Sequence, residues 1–520
     1  MSDYVIVGAG AAGCALAARL SEDPSVEVTL LEAGPPDTAQ EIHVPAAFPS
    51  LFLTEYDWDY DTAPEPGLDG RRAFLPRGRA LGGSSSINAM VYIRGHRADY
   101  DEWSDHGCEG WSYDELLPYF KRSEDNERGA DAYHGVGGPL SVSEGRSRHP
   151  FGDAWISAAV ASGLAVNTDF NGAEQEGVGR YQVTQRGGMR CSAAVAFLHP
   201  AMERSNLHVT TGAHATRLEL SRGRAVGVHY LHEGQERLAR ADREVILCGG
   251  AYNSPQLLML SGIGPAATLS ALGIAVVADL PVGENLQDHP MVVAVLATTH
   301  DTLASAGTAE NAALLQSEGR GPLTSNIAEV GGFLTTRAGL DAPDVQFLSA
   351  PVAYMYEGLA PAPEPGVSMA CCLNKPSSRG VVGLRSANPL AKPLIQHNYL
   401  TTDEDMASLV AGLKVTLDIS RRPSVAEFGR RWLNGPTATG EDDLVAWIRS
   451  HTQTNYHPVG TCAMGTVVDS ELRVLGIDGL RVADASVMPS VPRGNTNAPS
   501  IMVGEKAADL IRGIRSAAAG

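Results

Sequence analysis

The sequence predicts an α/β protein with a Rossmann-like nucleotide-binding domain, discontinuous in sequence, and a smaller α+β substrate-binding domain. The chain has 520 residues, more than one hydrophobic core usually supports. Its first 33 residues read as a βαβ unit, and strand-like apolar segments return between about residues 200 and 290. We therefore assign residues 1–150, 196–295 and 451–520 to the nucleotide-binding domain, and residues 151–195 and 296–450 to the substrate-binding domain.

Composition and charge argue against several classes of protein. With 43% hydrophobic and 19% charged residues the chain is globular, and its net charge of −20 repels nucleic acids. The seven cysteines are scattered, without the spacing of a disulfide framework or a zinc ribbon, so we expect reduced thiols and a cytoplasmic location. The first apolar run is already a strand, with no secretory signal before it, and no apolar run reaches the roughly 18 residues that span a bilayer.

The predicted elements follow the apolar periodicity along the chain. The N-terminal unit consists of a strand, DYVIVG, a helix, AAGCALAARLSED, and a second strand, VEVTLLEAG. A second glycine cluster, GRALGGSSSINAMVYIRG, predicts an extended loop from Gly78 to Gly95. Later strands are predicted at NLHVTTGAHATRLEL, AVGVHYL, REVILC, DVQFLSAPVAYMY and GVVGLRS, and an amphipathic helix is predicted around DMASLVAGLKVTLDISR. The last segments, GLRVADASVMP and NAPSIMVGEKAADLIRGI, predict a strand, a loop and a closing helix.

Three glycines at the first turn predict a dinucleotide site. Gly8, Gly10 and Gly13 lie directly after a strand and at the start of a helix, where backbone N–H groups and the helix dipole meet a pyrophosphate. Glu32 stands 19 residues after Gly13, at the end of the second strand, where a carboxylate accepts the ribose hydroxyls of an adenosine. An acid at this position favours FAD or NAD over NADP. The alternative is a glycine-rich turn that binds nothing.

A series of motifs, running from residue 7 to residue 511, carries a resemblance to a known family. They are VGAGAAG with LLEAG, GRALGGSSSINAMVYIRG, GAYNSPQLLMLSGIGP, VGENLQDHP, YHPVGTCAMG and GNTNAPSIMVGEKAADLI. With these motifs in this order, the chain resembles the glucose-methanol-choline (GMC) oxidoreductases, and among them the choline dehydrogenase-like flavoproteins that oxidise alcohols. The resemblance covers nearly the whole chain and implies that FAD is the cofactor.

The resemblance also implies which residues contact FAD. They are Gly8, Gly10, Ala11, Ala12 and Gly13 at the pyrophosphate, Glu32 at the adenosine ribose, Gly83, Ser84, Asn88, Ala89 and Val91 at the flavin, Ala215 at the adenine, and Asp484 near the ribityl chain and the pyrophosphate. Some choline oxidases attach the flavin covalently through a histidine in the second glycine cluster. This chain has Ile87 there, and an alkyl side chain cannot form that bond, so we predict noncovalent FAD.

His457, in the segment NYHPVGTCAMG, is the candidate base. Oxidising an alcohol requires a hydride acceptor and a group that takes the hydroxyl proton, and a histidine with a pKa near neutrality suits the second task. The competing interpretations are a packed structural histidine, a metal site shared with Cys462, for which the sequence offers no further ligands, and a Cys–His nucleophile pair. The resemblance implies the base, and it implies that the amide of Asn495, with Asn497 as the fallback, orients the alcohol oxygen.

These residues predict FAD-dependent oxidation of an alcohol to an aldehyde or ketone, with hydride transfer to flavin N5 and His457 as the base. An FAD-containing hydroxynitrile lyase of the same family and a noncatalytic flavin- or NAD-binding module are the alternatives. The electron acceptor, oxygen or another molecule, stays open; Asn455, where choline oxidases commonly carry a valine, favours a dehydrogenase. The alcohol is also open, because specificity lies in the variable second domain.

Two residues are candidates for contacts with the substrate. Glu329 matches a position where choline-oxidising relatives place a carboxylate against the trimethylammonium group, although relatives with neutral substrates share it. Tyr456, beside the base, either lines the pocket or packs in the core. Tyr354, Met355 and Tyr356 have the same two interpretations, a substrate wall or core packing.

Overall fold

The computed structural model describes residues 2–514. Its main strands are β1 (Ser2–Val7), β2 (Val28–Leu31), β3 (Gly177–Arg180), β4 (Leu207–Thr210), β5 (His214–Ser221), β6 (Arg224–His232), β7 (Gln235–Leu247), β8 (Pro290–Ala297), β9 (Val330–Leu334), β10 (Val345–Ala350), β11 (Gly366–Leu373), β12 (Trp432–Asn434), β13 (Gln453–Thr454) and β14 (Leu480–Val482). Its longer helices are α1 (Ala11–Leu20), α2 (Arg97–Asp105), α3 (Tyr113–Ser123), α4 (Pro150–Ala161), α5 (Gly250–Leu260), α6 (Ala309–Glu318), α7 (Asp403–Arg421), α8 (Glu441–His451) and α9 (Asn497–Arg512). Short helices and strands of two to seven residues connect these elements.

The first sheet confirms the predicted βαβ unit and the Rossmann-like class. Strands β4, β2, β1, β7 and β14 run parallel in that order, and β6 and β5 continue from β7 in antiparallel pairing. The long strand β7 joins the two parts, because residues 235–240 pair with β6 and residues 245–247 pair with β1 and β14. Parallel strands are covered on both faces, and Val5, Ile6 and Val28 accordingly have no exposed surface.

The closing helix fixes the start of the first helix. At Gly504 of α9 a Cβ atom would lie 2.3 Å from the backbone oxygen of Ala12 in α1. Any larger side chain at this position would push the two helices apart. The predicted C-terminal helix thus holds the first glycine turn in place, although nearly 500 residues of chain separate them.

The second sheet is antiparallel, in the order β12, β8, β11, β10, β9 and β3, with β13 paired to the start of β8. Side chains alternate between its two faces. We call one of them the inner face, formed by Met291, Val293, Gln346, Leu348, Ala350, Ser368, Ala370 and Cys372. The opposite face packs against helices α4 and α7 in a core that contains Trp155, Phe347, Met369 and Leu413.

The strand pairing corrects two of the predicted domain boundaries. The boundary between residues 295 and 296 cuts through β8, which pairs along its whole length with β11 of the second sheet. Residues 453–454 also pair with β8, and not with the first sheet. The run MVVAVLA is buried on both faces, so its sequence does not show to which sheet it belongs. Among the described residues, no helix has both the length and the hydropathy needed to cross a membrane.

Candidate active site

A cavity of about 310 Å³ lies between the two sheets. On one side it is bordered by the ends of β1 and β2 and by the starts of α1 and α5. On the other side it is bordered by the inner face of the second sheet and by the loop that carries His457. Ligands of open α/β sheets bind outside the carboxyl ends of the parallel strands. The cavity therefore joins the predicted nucleotide site to the predicted catalytic histidine.

The first glycine turn leaves backbone donors open to this cavity. Gly8 has a φ of +104°, and a Cβ atom there would lie 2.4 Å from the backbone oxygen of Cys248. Helix α1 begins after Gly10 without a side-chain cap, and Gly10, Ala11 and Ala12 line the cavity. Uncapped N–H groups and the positive end of the helix dipole suit a phosphate. These residues fit the pyrophosphate of a dinucleotide cofactor.

Gly13 is the one predicted cofactor residue that does not line the cavity. A Cβ atom there would lie 1.9 Å from the backbone oxygen of Gly8. Its role in the structure is therefore close packing of α1 against the turn, which is what the third glycine of such a motif does.

Glu32 is held in place by the same turn. Its Oε2 accepts a hydrogen bond from Ala9 N at 2.8 Å, and its Oε1 accepts one from Gly34 N at 2.8 Å. Burial raises the pKa of this carboxyl to about 6. Each carboxylate oxygen has a second lone pair, so the site can still accept hydrogen bonds from ribose hydroxyls.

The second glycine cluster reaches the first one. A Cβ atom at Gly83 would lie 2.7 Å from the Cα atom of Gly10, so only glycine lets the two turns meet. Ser84 Oγ accepts a hydrogen bond from Gly78 N at 3.1 Å, and Asn88 Oδ1 accepts one from Arg190 Nη1 at 2.8 Å. The cavity is lined by Gly83, Ser84, Ile87, Asn88, Ala89 and Val91 from this segment and by Ala215 from β5.

Asp484, a carboxylate expected near the pyrophosphate, is satisfied by donors of the protein itself. Its Oδ2 accepts hydrogen bonds from Gly250 N at 2.9 Å and Ser254 Oγ at 2.6 Å, and its Oδ1 accepts one from Ser486 N at 2.8 Å. Burial raises its pKa. The three donors satisfy the buried carboxylate while it lines the cavity next to α5.

His457 lines the cavity with two polar neighbours at its ring nitrogens. Its Nε2 lies 3.2 Å from the Asn495 Nδ2, and its Nδ1 lies 2.9 Å from the Nδ1 of His289. The structure therefore brings the predicted pair, His457 and Asn495, together in the cavity. Asn497, the fallback, also lines the cavity.

A buried carboxylate fixes the backbone of both histidines. Asp288 Oδ1 accepts hydrogen bonds from the backbone N–H groups of His289, at 2.8 Å, and His457, at 2.7 Å. Its Oδ2 accepts from the hydroxyls of Tyr399 and Thr454, each at 2.5 Å. Four donors on one carboxylate leave neither histidine free to shift away from the other.

The orientation of the Asn495 amide follows from its neighbours. The Tyr181 hydroxyl donates to the backbone oxygen of Phe347 at 2.6 Å, so it accepts from Gln346 Nε2 at 3.4 Å. The same Nε2 donates to Asn495 Oδ1 at 3.1 Å. The Nδ2 group of Asn495 therefore faces His457, whose Nε2 must carry a lone pair to accept from it. The proton of the neutral ring is then on Nδ1 and points to His289.

His457 is uncharged at neutral pH. Burial lowers its pKa well below the ordinary value, and the neighbouring His289 and the guanidinium of Arg77 lower it further. His289 has no exposed surface, and burial lowers its pKa to about 4. A neutral imidazole with its lone pair on Nε2 can accept a proton.

The remaining candidates lie in different places. Tyr456 lines the cavity, with a left-handed φ of 69°, and its hydroxyl is hydrogen-bonded to that of Tyr354, which also lines the cavity. Glu329 is not among the cavity residues: its Oε1 accepts from Ser325 Oγ at 2.7 Å and its Oε2 from His149 N at 3.1 Å, at the start of α4. Cys462 is buried in the core of the first sheet and does not line the cavity.

Several residues of the site were not predicted. They are His289, Gln346, Arg77, Phe48 and Phe52. For His289 the sequence did contain a signal. It lies in the motif QDHP, and His289 and His457 each directly precede a proline. The two phenylalanines lie in a Pro-rich stretch with no periodic pattern, and only the fold brings them to the cavity.

A cavity that joins a glycine-rich strand–turn–helix unit to a buried histidine fits an oxidoreductase that uses NAD or FAD. Comparison with known families agrees with this class, because the family model described as GMC oxidoreductase matches residues 2–291 and 376–504. The chain belongs to the GMC oxidoreductase family. Its cofactor is FAD, and it acts on CH–OH groups.

Individual relatives match over nearly the whole chain. An alcohol dehydrogenase (acceptor) from Pseudomonas putida is 46% identical over 98% of this chain and 96% of its own length. The mitochondrial choline dehydrogenase of Homo sapiens is 44% identical over 98% of this chain and 89% of its own length. Among solved structures, pyridoxine 4-oxidase from Mesorbium loti has a TM-score of 0.90, with 33% identity over 99% of both chains. A formate oxidase from Aspergillus oryzae RIB40 has a TM-score of 0.92, with 29% identity over 98% of both chains.

Proposed function

We propose that this enzyme oxidises an alcohol to an aldehyde or ketone with His457 as the base that takes the hydroxyl proton. The observation that supports the proposal most is the hydrogen bond between Asn495 Nδ2 and His457 Nε2 at 3.2 Å in the cavity. It requires a lone pair on Nε2, which is the state that a base needs. Bound FAD supplies the hydride acceptor, flavin N5.

Asn495 and His457 have different roles at the alcohol oxygen. The amide of Asn495 has a second N–H, which can donate to that oxygen and hold it beside His457. His457 Nε2 then accepts the hydroxyl proton, and the positive charge of the ring is shared with His289 through the contact between their Nδ1 atoms. Burial on all sides keeps bulk water from competing for the proton.

We propose the following contacts between the protein and FAD. The open N–H groups of the first turn would hold the pyrophosphate, Glu32 the adenosine ribose, and the second glycine cluster the flavin. Because Ile87 lines the cavity where a covalent attachment would need a nucleophile, we propose that FAD is bound noncovalently. Acid precipitation should then release all of the FAD into the supernatant, whereas a yellow pellet would contradict this.

In the second half of the reaction the reduced flavin passes its electrons to an acceptor. Asn455 lines the cavity, and its Nδ2 donates to Cys372 Sγ at 3.3 Å, which keeps a polar side chain next to His457. We propose a dehydrogenase with an acceptor other than oxygen. We also keep the cytoplasm as its location, since the seven cysteines, all free thiols and buried, suit a reducing compartment.

The test is anaerobic mixing of the purified yellow enzyme with a panel of alcohols. Loss of the flavin absorbance in the absence of oxygen shows hydride transfer, and admission of oxygen then distinguishes an oxidase, which regains colour at once, from a dehydrogenase. A hydroxynitrile lyase would cleave cyanohydrins without any bleaching. An enzyme that no alcohol bleaches would contradict the proposed function.

A further inference from the structure

We propose that the substrate is a neutral, apolar alcohol and not a quaternary ammonium alcohol such as choline. The inference rests on the proposed function, because it concerns the substrate that would lie between the bound flavin and His457. It is argued from the side chains of the cavity around that histidine.

The inner face of the second sheet presents mainly hydrocarbon to the cavity. Its lining side chains are Met291, Val293, Leu348, Ala350, Ser368 and Ala370. Ser368 is the polar member of this set, and its hydroxyl is already used: it donates to Val352 O at 2.6 Å and accepts from Tyr354 N at 2.8 Å. This wall offers dispersion contacts and no free hydrogen-bonding group to a ligand.

Aromatic rings form the adjoining wall. Phe48, Phe52, Tyr354 and Tyr456 line the cavity. The ring of Phe52 packs on Phe48 at 6.1 Å with an interplanar angle of 65°, and on Tyr456 at 6.3 Å with an angle of 57°. The two tyrosine hydroxyls bond to each other. The rings therefore pack against one another, one pair edge to face and the other tilted, and each tyrosine hydroxyl is engaged by the other.

Among the described residues, no carboxylate lies on the apolar or the aromatic wall of the cavity. The carboxylates that line the cavity are Glu32 and Asp484, and both accept hydrogen bonds from backbone N–H groups, those of Ala9, Gly34 and Gly250. Glu329, the carboxylate that was a candidate for a contact with the substrate, lies outside the cavity. Behind the aromatic wall the charges are mixed: Arg77 Nη1 donates to Tyr456 O at 2.8 Å, and Glu357, which accepts from Phe74 N at 3.0 Å, lies near Tyr354 and Tyr456 without lining the cavity.

A trimethylammonium group would be costly in these surroundings. Its charge is permanent, so it cannot escape burial by losing a proton, as an amine can. Aromatic faces attract it only weakly when no carboxylate lines the pocket beside it, and the charges of Arg77 and Glu357 behind the wall oppose each other. A tert-butyl or alkyl group of the same size pays no such cost and gains from the apolar walls.

The test compares two alcohols of the same shape in anaerobic flavin reduction. In 3,3-dimethylbutan-1-ol a carbon atom replaces the charged nitrogen of choline. We expect kcat/KM for flavin reduction to be at least about tenfold higher for the neutral alcohol. Among straight-chain primary alcohols, kcat/KM should rise by about fourfold for each added methylene until the cavity is filled.

A matched pair of variants tests the role of charge. Leu348 is only partly buried, so Leu348→Glu and Leu348→Gln place side chains of equal size on the inner face, one charged and one neutral. The ratio of kcat/KM for choline to that for its neutral analogue should be about tenfold higher in the Glu variant than in the Gln variant. If the Glu variant does not fold, the comparison of the two alcohols with the unaltered enzyme still decides.

The outcomes separate this inference from the proposed function. Faster reduction by the neutral alcohol supports both. Equal or faster reduction by choline overturns the inference and leaves the proposed function intact. No reduction by either compound, or by any other alcohol, overturns the proposed function itself.

Discussion

The Nδ1 atoms of His289 and His457 lie 2.9 Å apart in the interior of the protein. Two nitrogen atoms at this distance share one hydrogen, and the amide of Asn495 on the other side of His457 assigns that hydrogen to His457. His289 is thus an acceptor that selects the tautomer of His457, the proposed base. The relationship links a residue that lines the cavity to one that does not.

Replacing His289 should slow the reaction without removing FAD. In His289→Phe the Nδ1 hydrogen of His457 loses its acceptor, and we expect the rate of flavin reduction to fall by at least about tenfold. His289→Asn supplies an amide oxygen and should recover part of the rate. Stopped-flow absorbance at the flavin band measures both variants. Equal rates for the two variants would mean that His289 acts only by packing.

Replacing His457 should abolish the reaction while the protein stays yellow. We expect His457→Ala to bind FAD in a normal ratio and to be reduced by alcohol about 10²- to 10⁴-fold more slowly, because a general base has been removed. Cys462→Ala is the matched control from the same segment, and it should keep near-normal activity. A normal rate of reduction in the histidine variant would exclude His457 as the base.

The orientation of Asn495 gives a sharper prediction at Gln346. Gln346→Leu removes the donor to Asn495 Oδ1, and the amide should lose its fixed orientation, so a loss of several-fold is expected. Gln346→Glu places an acceptor there, which turns the Nδ2 group away from His457 and presents Oδ1 to it. The Glu variant should therefore be slower than the Leu variant in flavin reduction. The reverse order would contradict the assigned orientation.

The rate of flavin reduction should not fall as the pH is lowered through neutrality. Its decrease at acidic pH, the acid limb of the pH profile, should begin only at lower pH. Because burial, His289 and Arg77 hold the pKa of His457 well below 6.5, the base stays neutral as the pH falls to that value, and activity should fall only at lower pH. Arg77→Gln removes a charge that lowers the pKa, so its acid limb should move to higher pH, while Arg77→Lys should leave the limb in place. An acid limb at or above pH 6.5 in the unaltered enzyme would be inconsistent with a buried, neutral base.

Stability should also fall with acidification. Burial lowers the pKa of His289 and of His397 from 6.5 to about 4. Between these values the unfolded chain binds protons that the folded protein does not, so the free energy of unfolding falls as the pH falls from 6.5 to 4, by up to about 3 kcal/mol per histidine. Glu32, with a pKa raised to about 6, acts in the opposite direction.

Urea unfolding at pH 6.5 and pH 5 of the unaltered protein and of His397→Gln isolates the histidine contribution. His397 Nε2 and the Tyr252 hydroxyl form a hydrogen bond at 2.8 Å, and the amide of a glutamine can take the place of the imidazole as donor or acceptor without titrating. The variant should lose less stability between the two pH values. An identical loss in both proteins would show that His397 is not among the groups that titrate.

Local pattern was sufficient to predict the first sheet and the cofactor turn. The glycines, the acid at Glu32 and the strand–helix–strand order lie within 33 residues, where turn chemistry and periodicity determine the structure. The proposed catalytic pair, His457 and Asn495, followed from the family resemblance that the motifs carry. Its supporting residues did not, because His289 and Gln346 meet them across 168 and 149 residues of sequence and leave no local signal.

Glu329 and β8 show two further limits of prediction from the sequence. A carboxylate next to a strand can point into a cavity or cap a neighbouring helix, and here Glu329 accepts from the backbone at the start of α4. A strand buried on both faces loses the alternation that would assign it to a sheet, as in β8. In both cases tertiary packing, which the local sequence does not encode, decided the outcome.

Side chains alternate between the two faces of the second sheet, so neighbouring positions of one strand are under different selective pressures. Met291 and Val293 of β8 line the cavity, whereas Val292, Ala294 and Leu296 pack in the core with the helices behind the sheet. Substitutions at every second residue can therefore reshape the pocket while the scaffold keeps its hydrophobic support. A lineage built on this fold can explore new alcohols at little cost in folding, and directed evolution of this enzyme should begin with Val293, Leu348 and Ala370.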